Sequence, residues 1–286
     1  MIKFQLISRR KPGDSQEKYF YEWGIIHVAL MITTPSVMRT FKRYAQHFTV
    51  NGVDGSQLLY PLSDMAWDNF ADHWLERPED NLIPFRSDDY LQRMHPHNFG
   101  DSTFVIEYLT ETFRDEQPDV GPGGVKLIQV VKSRPGLSPE EFAAAWRERH
   151  AAALLTAGAS RPGRLVQNAH AEVDKEDFKG TLFALAGVGG YAGIEELWFE
   201  DLDALLRFTQ DAGVRDVVLA ADAPVDPDGS FSMVVTERVI YDYATDGVDC
   251  PAPAVLDPAS LEARVDAQKY RGWNAPGWEL RAEELG

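Results

Sequence analysis

Seven histidines stand in this 286-residue chain, and five of them fall in its first half: His27, His47, His73, His95 and His97. Imidazole changes charge near neutral pH, so such a concentration points first to proton transfer. His47 sits in the strand-like run Tyr44-Ala45-Gln46-His47-Phe48-Thr49. Period two puts Tyr44, Gln46 and Phe48 on one face and Ala45, His47 and Thr49 on the other. His27 ends a Trp23-x-x-x-His27 step at helical spacing. His47 and His27 are the expected proton movers, with the Tyr44 hydroxyl donating a hydrogen bond to a developing oxyanion. Trp23, Trp74 and Phe48 are expected to hold the rings of an apolar substrate, and Arg43, Glu107, His95 and His97 to supply its polar contacts.

Competing chemistry is thinner. His95-Pro96-His97 has chelating spacing but no evident third ligand, so no metal is expected. His73 adjoins Trp74, so the two side chains face opposite ways; His73 is expected at the surface or between sheets. Glu107 and Glu237 lie at matched places in apolar strands, where pairing with Arg43 or Arg164 would neutralise them. Gly187-Val188-Gly189-Gly190 lacks the Lys-Ser/Thr ending of a phosphate loop, and no Gly-x-Ser-x-Gly elbow occurs. Cys250 is the sole cysteine, which excludes an internal disulfide and a cysteine zinc site.

The elements that must carry these groups are written twice. The first copy reads Pro12-Gly13-x-Ser15-x-Glu17-x-Tyr19-x-x-x-Trp23-x-x-x-His27, and the second Pro135-Gly136-x-Ser138-x-Glu140-x-Phe142-x-x-x-Trp146-x-x-x-His150. Pro-Gly turns the chain out of a strand, Ser15 or Ser138 caps a helix, and Pro139 suits its first position. Each helix then presents aromatic, aromatic, His along one face. Further on, Arg43-Tyr44-Ala45-Gln46-His47 matches Arg164-Leu165-Val166-Gln167-Asn168, and Ala71 to Glu76 matches Glu195 to Glu200. Each copy reads strand–helix–strand–strand–helix–strand, the ferredoxin-like order. The predicted fold is α+β, two tandem ferredoxin-like βαββαβ units over residues 1–116 and 125–243, packed sheet on sheet into one barrel-like body. Residues 117–124 are the expected linker and 244–286 a C-terminal extension. The second copy replaces Tyr44 and His47 by Leu165 and Asn168, so the first copy is the expected working site.

The composition fits that picture: 44% hydrophobic, 26% charged, with seven Trp and fifteen Phe for a core or an aromatic-lined pocket. A net charge of −17 disfavours nucleic acid and anionic membranes as partners. No apolar run is long enough for a membrane span and no leader pattern opens the chain, so a cytoplasmic protein is expected. A homodimer through the sheet or the C-terminal tail is one further option.

The Pro-Gly-x-Ser-x-Glu–aromatic–Trp-x-x-x-His block, the following Arg-x-x-Gln, and Glu196-Leu197-Trp198-Phe199 resemble the EthD family of the dimeric α/β-barrel superfamily. The likeness covers roughly residues 1–115 and 124–243. It implies a barrel of two ferredoxin-like units and, among the superfamily's varied activities, cofactor-independent chemistry. The leading expectation is a cofactor-independent lyase/dehydratase or cyclase/isomerase acting on a small apolar, aromatic or polyketide-like substrate. A cofactor-free monooxygenase is the first rival and a non-catalytic small-molecule binding protein the second. A haem protein, with an axial His, is a more distant reading.

Overall fold

A computed structural model describes residues 2–94, 96–97, 99–101, 106–116, 124–171, 174, 176, 179 and 190–242. Eight strands, β1 (Ile2–Ser8), β2 (Arg43–Thr49), β3 (Asn69–Leu75), β4 (Ile106–Glu116), β5 (Val125–Val131), β6 (Arg164–Ala171), β7 (Gly193–Phe199) and β8 (Phe231–Asp242), close into a barrel. Around the barrel the order is β1-β3-β2-β8-β5-β7-β6-β4, and every neighbouring pair is antiparallel.

This overturns the expected pair of ferredoxin-like units packed sheet on sheet. The two halves share one continuous hydrogen-bonded wall, and the reason lies in two long strands. β4 has 11 residues and β8 has 12, where β1, β2, β3, β5 and β7 have 7 each. The first part of β4 pairs with β1 and its continuation, Leu109 to Glu116, pairs with β6. In the same way β8 serves β5 first and then β2. Those two seams remove all free sheet edges and close the wall.

Alternation sorts the side chains. Lys3, Gln5 and Ile7 of β1 and Lys126, Ile128 and Val130 of β5 point into the barrel, while Phe4, Leu6 and Ser8 point outward under the helices. One end of the interior is apolar, built on Ile7, Trp67, Phe70, Ile128, Val130 and Ile194. Deeper along the axis lies a buried polar cluster.

Helices cover the outside of the wall. The first half contributes α1 (Gln16–Tyr21), α2 (Val28–Ile32), α3 (Pro35–Thr40), α4 (Leu82–Arg86) and α5 (Asp88–Arg93). The second contributes α6 (Pro139–Ala145), α7 (Ala151–Thr156), α8 (Leu202–Gln210) and α9 (Ala212–Val218). The repeated block behaves alike in both halves. Ser15 accepts from Lys18 N to cap α1. At α6, Ser138 and Glu141 form a full capping box with Pro139 at the first position. Gly13 and Gly136 hold φ of 89° and 95°, a left-handed conformation that glycine adopts without a steric penalty. Between α1 and α2 the chain makes a π-helical turn, Glu22–His27, and between α6 and α7 a second one, Trp146–His150. The even four-residue helical step expected for Trp and His is therefore widened at the same place in each half.

Residues 117–123 of the expected linker, Gly187 to Gly189, and the whole C-terminal extension with Cys250 lie outside the described residues. No helix among the described residues is long and apolar enough to cross a membrane.

Candidate functional site

A cavity of about 820 Å³, its open mouth included, lies between the outer face of β1, β2 and β3 and the first-half helices. It is strongly apolar, walled by Phe4, Phe41, Phe85, Phe99, Trp23 and Met31. His27, His73, His97 and Tyr44 are among its lining residues. That composition, an aromatic cleft with a few converging polar groups, is the usual make-up of a small-molecule site.

The three histidines are held differently. The His97 Nε2 atom lies 2.8 Å from a Glu22 carboxylate oxygen. A carboxylate accepts only, so Nε2 carries the proton and donates, which leaves Nδ1 with its lone pair. Nδ1 is buried and has no hydrogen-bond partner among the described residues. An oriented imidazole with a free lone pair is the arrangement of a general base. The loop bearing it is fixed across the cavity by an Arg10–Gly100 backbone bridge and an Arg9–Asp101 ion pair at 3.2 Å. His73 donates from Nδ1 to the Phe4 carbonyl at 3.2 Å and stacks on Tyr44, ring centres 4.6 Å apart. Burial lowers its pKa to about 4, against a weaker opposing pull from that carbonyl. His27 lies 6.2 Å from His97, ring to ring, and burial, with His97 and His73 adding to it, lowers its pKa to about 3. Both therefore stay neutral at ordinary pH, serving as hydrogen-bonding groups and weak bases.

Tyr44 receives rather than gives inside the protein. Gln46 Nε2 donates to its oxygen at 2.8 Å. With that oxygen accepting from Gln46, the phenol O–H points away from the amide and can turn to a ligand. Burial holds this phenol well above the usual tyrosine range, so it is a donor and stays protonated.

Several expected site residues lie elsewhere. His47 is fully buried inside the barrel, with Nδ1 3.1 Å from the Phe70 carbonyl and Nε2 3.1 Å from Glu237. It does not line the cavity. Trp74 also faces inward, between the Lys3 ammonium at 4.9 Å and the Arg43 guanidinium at 4.4 Å. Arg43 pairs with Asp242 at 3.3 Å and lies 3.8 Å from Glu237, part of the neutralising role expected for it. Phe48 packs beneath Trp23, ring centres 4.7 Å apart, as core under the cavity floor. His95 and the Glu107 side chain lie outside the described residues. Trp23, His27, Tyr44 and His97 do line the cavity. His73, expected elsewhere, lines it too: alternation put it opposite Trp74 correctly, and that face is the one the helices cover. Glu22 carries no local signal in the sequence, since its partner is 75 positions away.

The barrel axis holds the other concentration of charge. Lys3 reaches Glu196 at 2.6 Å, and Lys126 lies 3.0 Å from Glu237, 3.8 Å from Asp72 and 2.7 Å from His47 Nε2, besides contacting Glu196. His47, Asp72 and Glu196 each offer a ligand atom within 4.8 Å of the others. That is a metal-binding set by type, but the Lys126 ammonium already stands among all three and serves as their cation. Burial pushes the Lys126 ammonium down, and Glu196, Glu237 and Asp72 together outweigh it, so it is held charged. Burial also pushes Glu237 up, and Lys126 and His47 more than reverse that, holding it well below the usual carboxylate range.

Comparison with known proteins agrees with part of the sequence reading. Residues 134–225 match the EthD domain. The EthD match thus falls on the second half, whereas the cavity lies in the first. No curated protein matches the chain. Among solved structures, one described as an anthrone oxidase-like protein superposes with a TM-score of 0.55 at 13% identity, covering 85% of this chain and 94% of that one. Two provisionally named monooxygenases, from Lactobacillus acidophilus NCFM and Fusobacterium nucleatum subsp. nucleatum ATCC 25586, give TM-scores of 0.43 and 0.48 at 9% and 7% identity. Each of these two alignments covers 83% of this chain, with 94% and 93% of the respective partner. The first likeness places the chain among barrels of this fold.

Proposed function

We propose that the chain is an enzyme that removes a proton from a small apolar aromatic carbon acid held in the first-half cavity, with His97 as general base. The observation that carries this reading is the Glu22–His97 pair: a carboxylate fixes one ring nitrogen as donor, and the other, on a residue that lines the cavity, has no hydrogen-bond partner among the described residues. In the proposed step, His97 Nδ1 takes a proton from the carbon next to a ring-conjugated carbonyl. The Tyr44 O–H donates to the carbonyl oxygen as negative charge collects there. Glu22 steadies the imidazolium that results. Apolar walls exclude water, which strengthens both interactions. Returning the proton to another carbon gives isomerisation; passing it from His97 to a departing β-hydroxyl, which leaves as water, gives dehydration, the lyase outcome expected from the sequence.

A second reading keeps the same first step. The carbanion meets dioxygen, and the hydroperoxide formed at that carbon loses water to leave a ketone. One activated methylene and one dioxygen thus give one ketone carbonyl and one water, the methylene carbon being oxidised and the dioxygen reduced. The fold shared with the anthrone oxidase-like protein favours it.

Deuterium exchange at the benzylic carbon between ring and carbonyl of 2-tetralone in heavy water, followed by proton NMR, tests the common step. Exchange well above background that disappears in His97→Gln is the expected result. Binding of 2-tetralone without any exchange would leave a carrier, and the catalytic reading would fall. Oxygen uptake with the same ketone separates the second reading from the first.

A further inference from the structure

We infer that Arg238, supplied by the other half of the chain, is a positioning residue that sets the Tyr44 hydroxyl as a hydrogen-bond donor, acting through Gln46. The inference rests on the proposed role of Tyr44 as the donor to a ligand oxygen. Arg238 lies on β8, directly across the β2–β8 seam from Gln46. It is only 5% exposed, and its guanidinium lies 5.1 Å from the centre of the Phe48 ring. Burying a guanidinium is costly unless its hydrogen bonds repay the lost hydration. Its Nη2 donates to the Gly24 carbonyl and to Gln46 Oε1.

That contact settles the orientation of the Gln46 amide. An arginine can only donate, so the atom facing it is the amide oxygen. The nitrogen then faces the other way, with one hydrogen on the Trp23 carbonyl at 2.9 Å and the other on the Tyr44 oxygen at 2.8 Å. The Trp23 carbonyl can only accept, so both ends of the amide agree. With the Tyr44 oxygen taking a hydrogen from Gln46, its own proton points away from that amide. The chain Arg238–Gln46–Tyr44 is thus polarised in one direction, toward a ligand oxygen. The arginine charge also favours negative charge on that phenol and on whatever oxygen it touches.

The other half supplies a built-in control. Arg114 stands across the β4–β6 seam from Gln167, as Arg238 does from Gln46. Its Nη2 donates to the Arg147 carbonyl, the counterpart of Gly24 in the repeat, at 2.8 Å. Its Nη1, however, turns to Glu116 at 2.7 Å, and Gln167 Oε1 receives no hydrogen bond among the described residues. Leu165 stands there in place of Tyr44. The arginine engages the glutamine in the half that has a phenol to aim.

The test compares binding of 2-naphthol with binding of naphthalene, which lacks the oxygen. Fluorescence of bound naphthol reports how much is ionised. Arg238→Met is expected to weaken naphthol binding by about tenfold, the value of one charge-assisted hydrogen bond, and to lower the ionised share, while naphthalene binding is unchanged. Arg238→Lys, which keeps the charge and guards against a misfolded methionine variant, restores part of the ionised share. In a Tyr44→Phe background, Arg238→Met adds little further loss. Equal losses for the two ligands, or additive losses with Tyr44→Phe, would overturn the inference and leave Arg238 a structural residue. If Tyr44→Phe itself leaves naphthol binding unchanged, the reading of the site falls and the inference with it. If Tyr44→Phe weakens binding and Arg238→Met does not, the inference alone falls.

Discussion

The two halves of the chain carry the same tryptophan, histidine and glutamine on the same elements, yet what those donors meet is opposite. In the first half the Gln46 amide meets the Tyr44 hydroxyl, and His27 Nδ1, beside a cavity, has no hydrogen-bond partner among the described residues. In the second half the Trp146 indole and the Gln167 amide, the latter at 2.8 Å, converge on the Glu195 carboxylate, and His150 completes the set at 3.2 Å. Strand register puts Glu195 where the first half has Ala71, and Leu197 where it has His73. One carboxylate thus satisfies three donors and makes the second centre a closed structural unit. Alanine in its place on the first side opens space and passes the acceptor role to a phenol that still has a proton to give. Function follows from what was left unsatisfied.

The sharpest way to break that contrast is to remove the histidine that only the first half uses as a base. His97→Gln is expected to lower exchange turnover by about 10²–10⁴-fold, the usual contribution of general base catalysis, with 2-tetralone affinity nearly kept. His150→Gln should leave turnover intact and instead reduce stability by about 1–3 kcal/mol, because buried Glu195 loses a partner. Chemical denaturation alongside the exchange assay distinguishes the two.

Converting one centre into the other should matter less but is more specific. Ala71→Glu places a carboxylate under Trp23 and Gln46, as Glu195 lies under Trp146 and Gln167. Ligand affinity is expected to drop by at least about tenfold as the cavity floor fills with a charged group. Calorimetric titration with 2-naphthol measures it.

The smallest effect is in acid stability. His27 and His73 have folded pKa values of about 3 and about 4, below the ordinary histidine value of 6.5. The unfolded chain therefore binds these two protons first as pH falls. Their contribution is complete above about pH 6.5 and is lost progressively toward pH 4 for His73 and pH 3 for His27, each at up to about 1.4 kcal/mol per pH unit. His27→Asn or His73→Asn should each flatten the slope of unfolding free energy against pH in that window.

Much of the frame was legible in the sequence. The repeated Pro-Gly-x-Ser turn, its capping serines and the strand alternation are local signals, and they placed the strands and the first helix of each half. Barrel closure was not legible for a definite reason. The outcome depends on Leu109 to Glu116 and Val239 to Asp242 continuing as strand beyond their own half, and nothing local says which edge they will meet. His47 was misplaced because its partners, Lys126 and Glu237, come from β5 and β8. A usable hint existed: Lys3 and Lys126 occupy the same repeat position in apolar strands, and Asp72 and Glu196 form a second matched pair. Two cations and two anions, each set written in duplicate within apolar strands, announce an internal ion cluster. The π-helical turns had no such hint, since a widened turn leaves no composition mark.

Nitrogen-15 NMR of histidine-labelled protein titrated with 2-naphthol tests the central claim most directly. If the working centre is the first-half cavity, the His97 Nδ1 and His27 resonances shift in proportion to occupancy, while those of His150 and His47 stay in place. Shifts at His150 or His47 with His97 unmoved would contradict it.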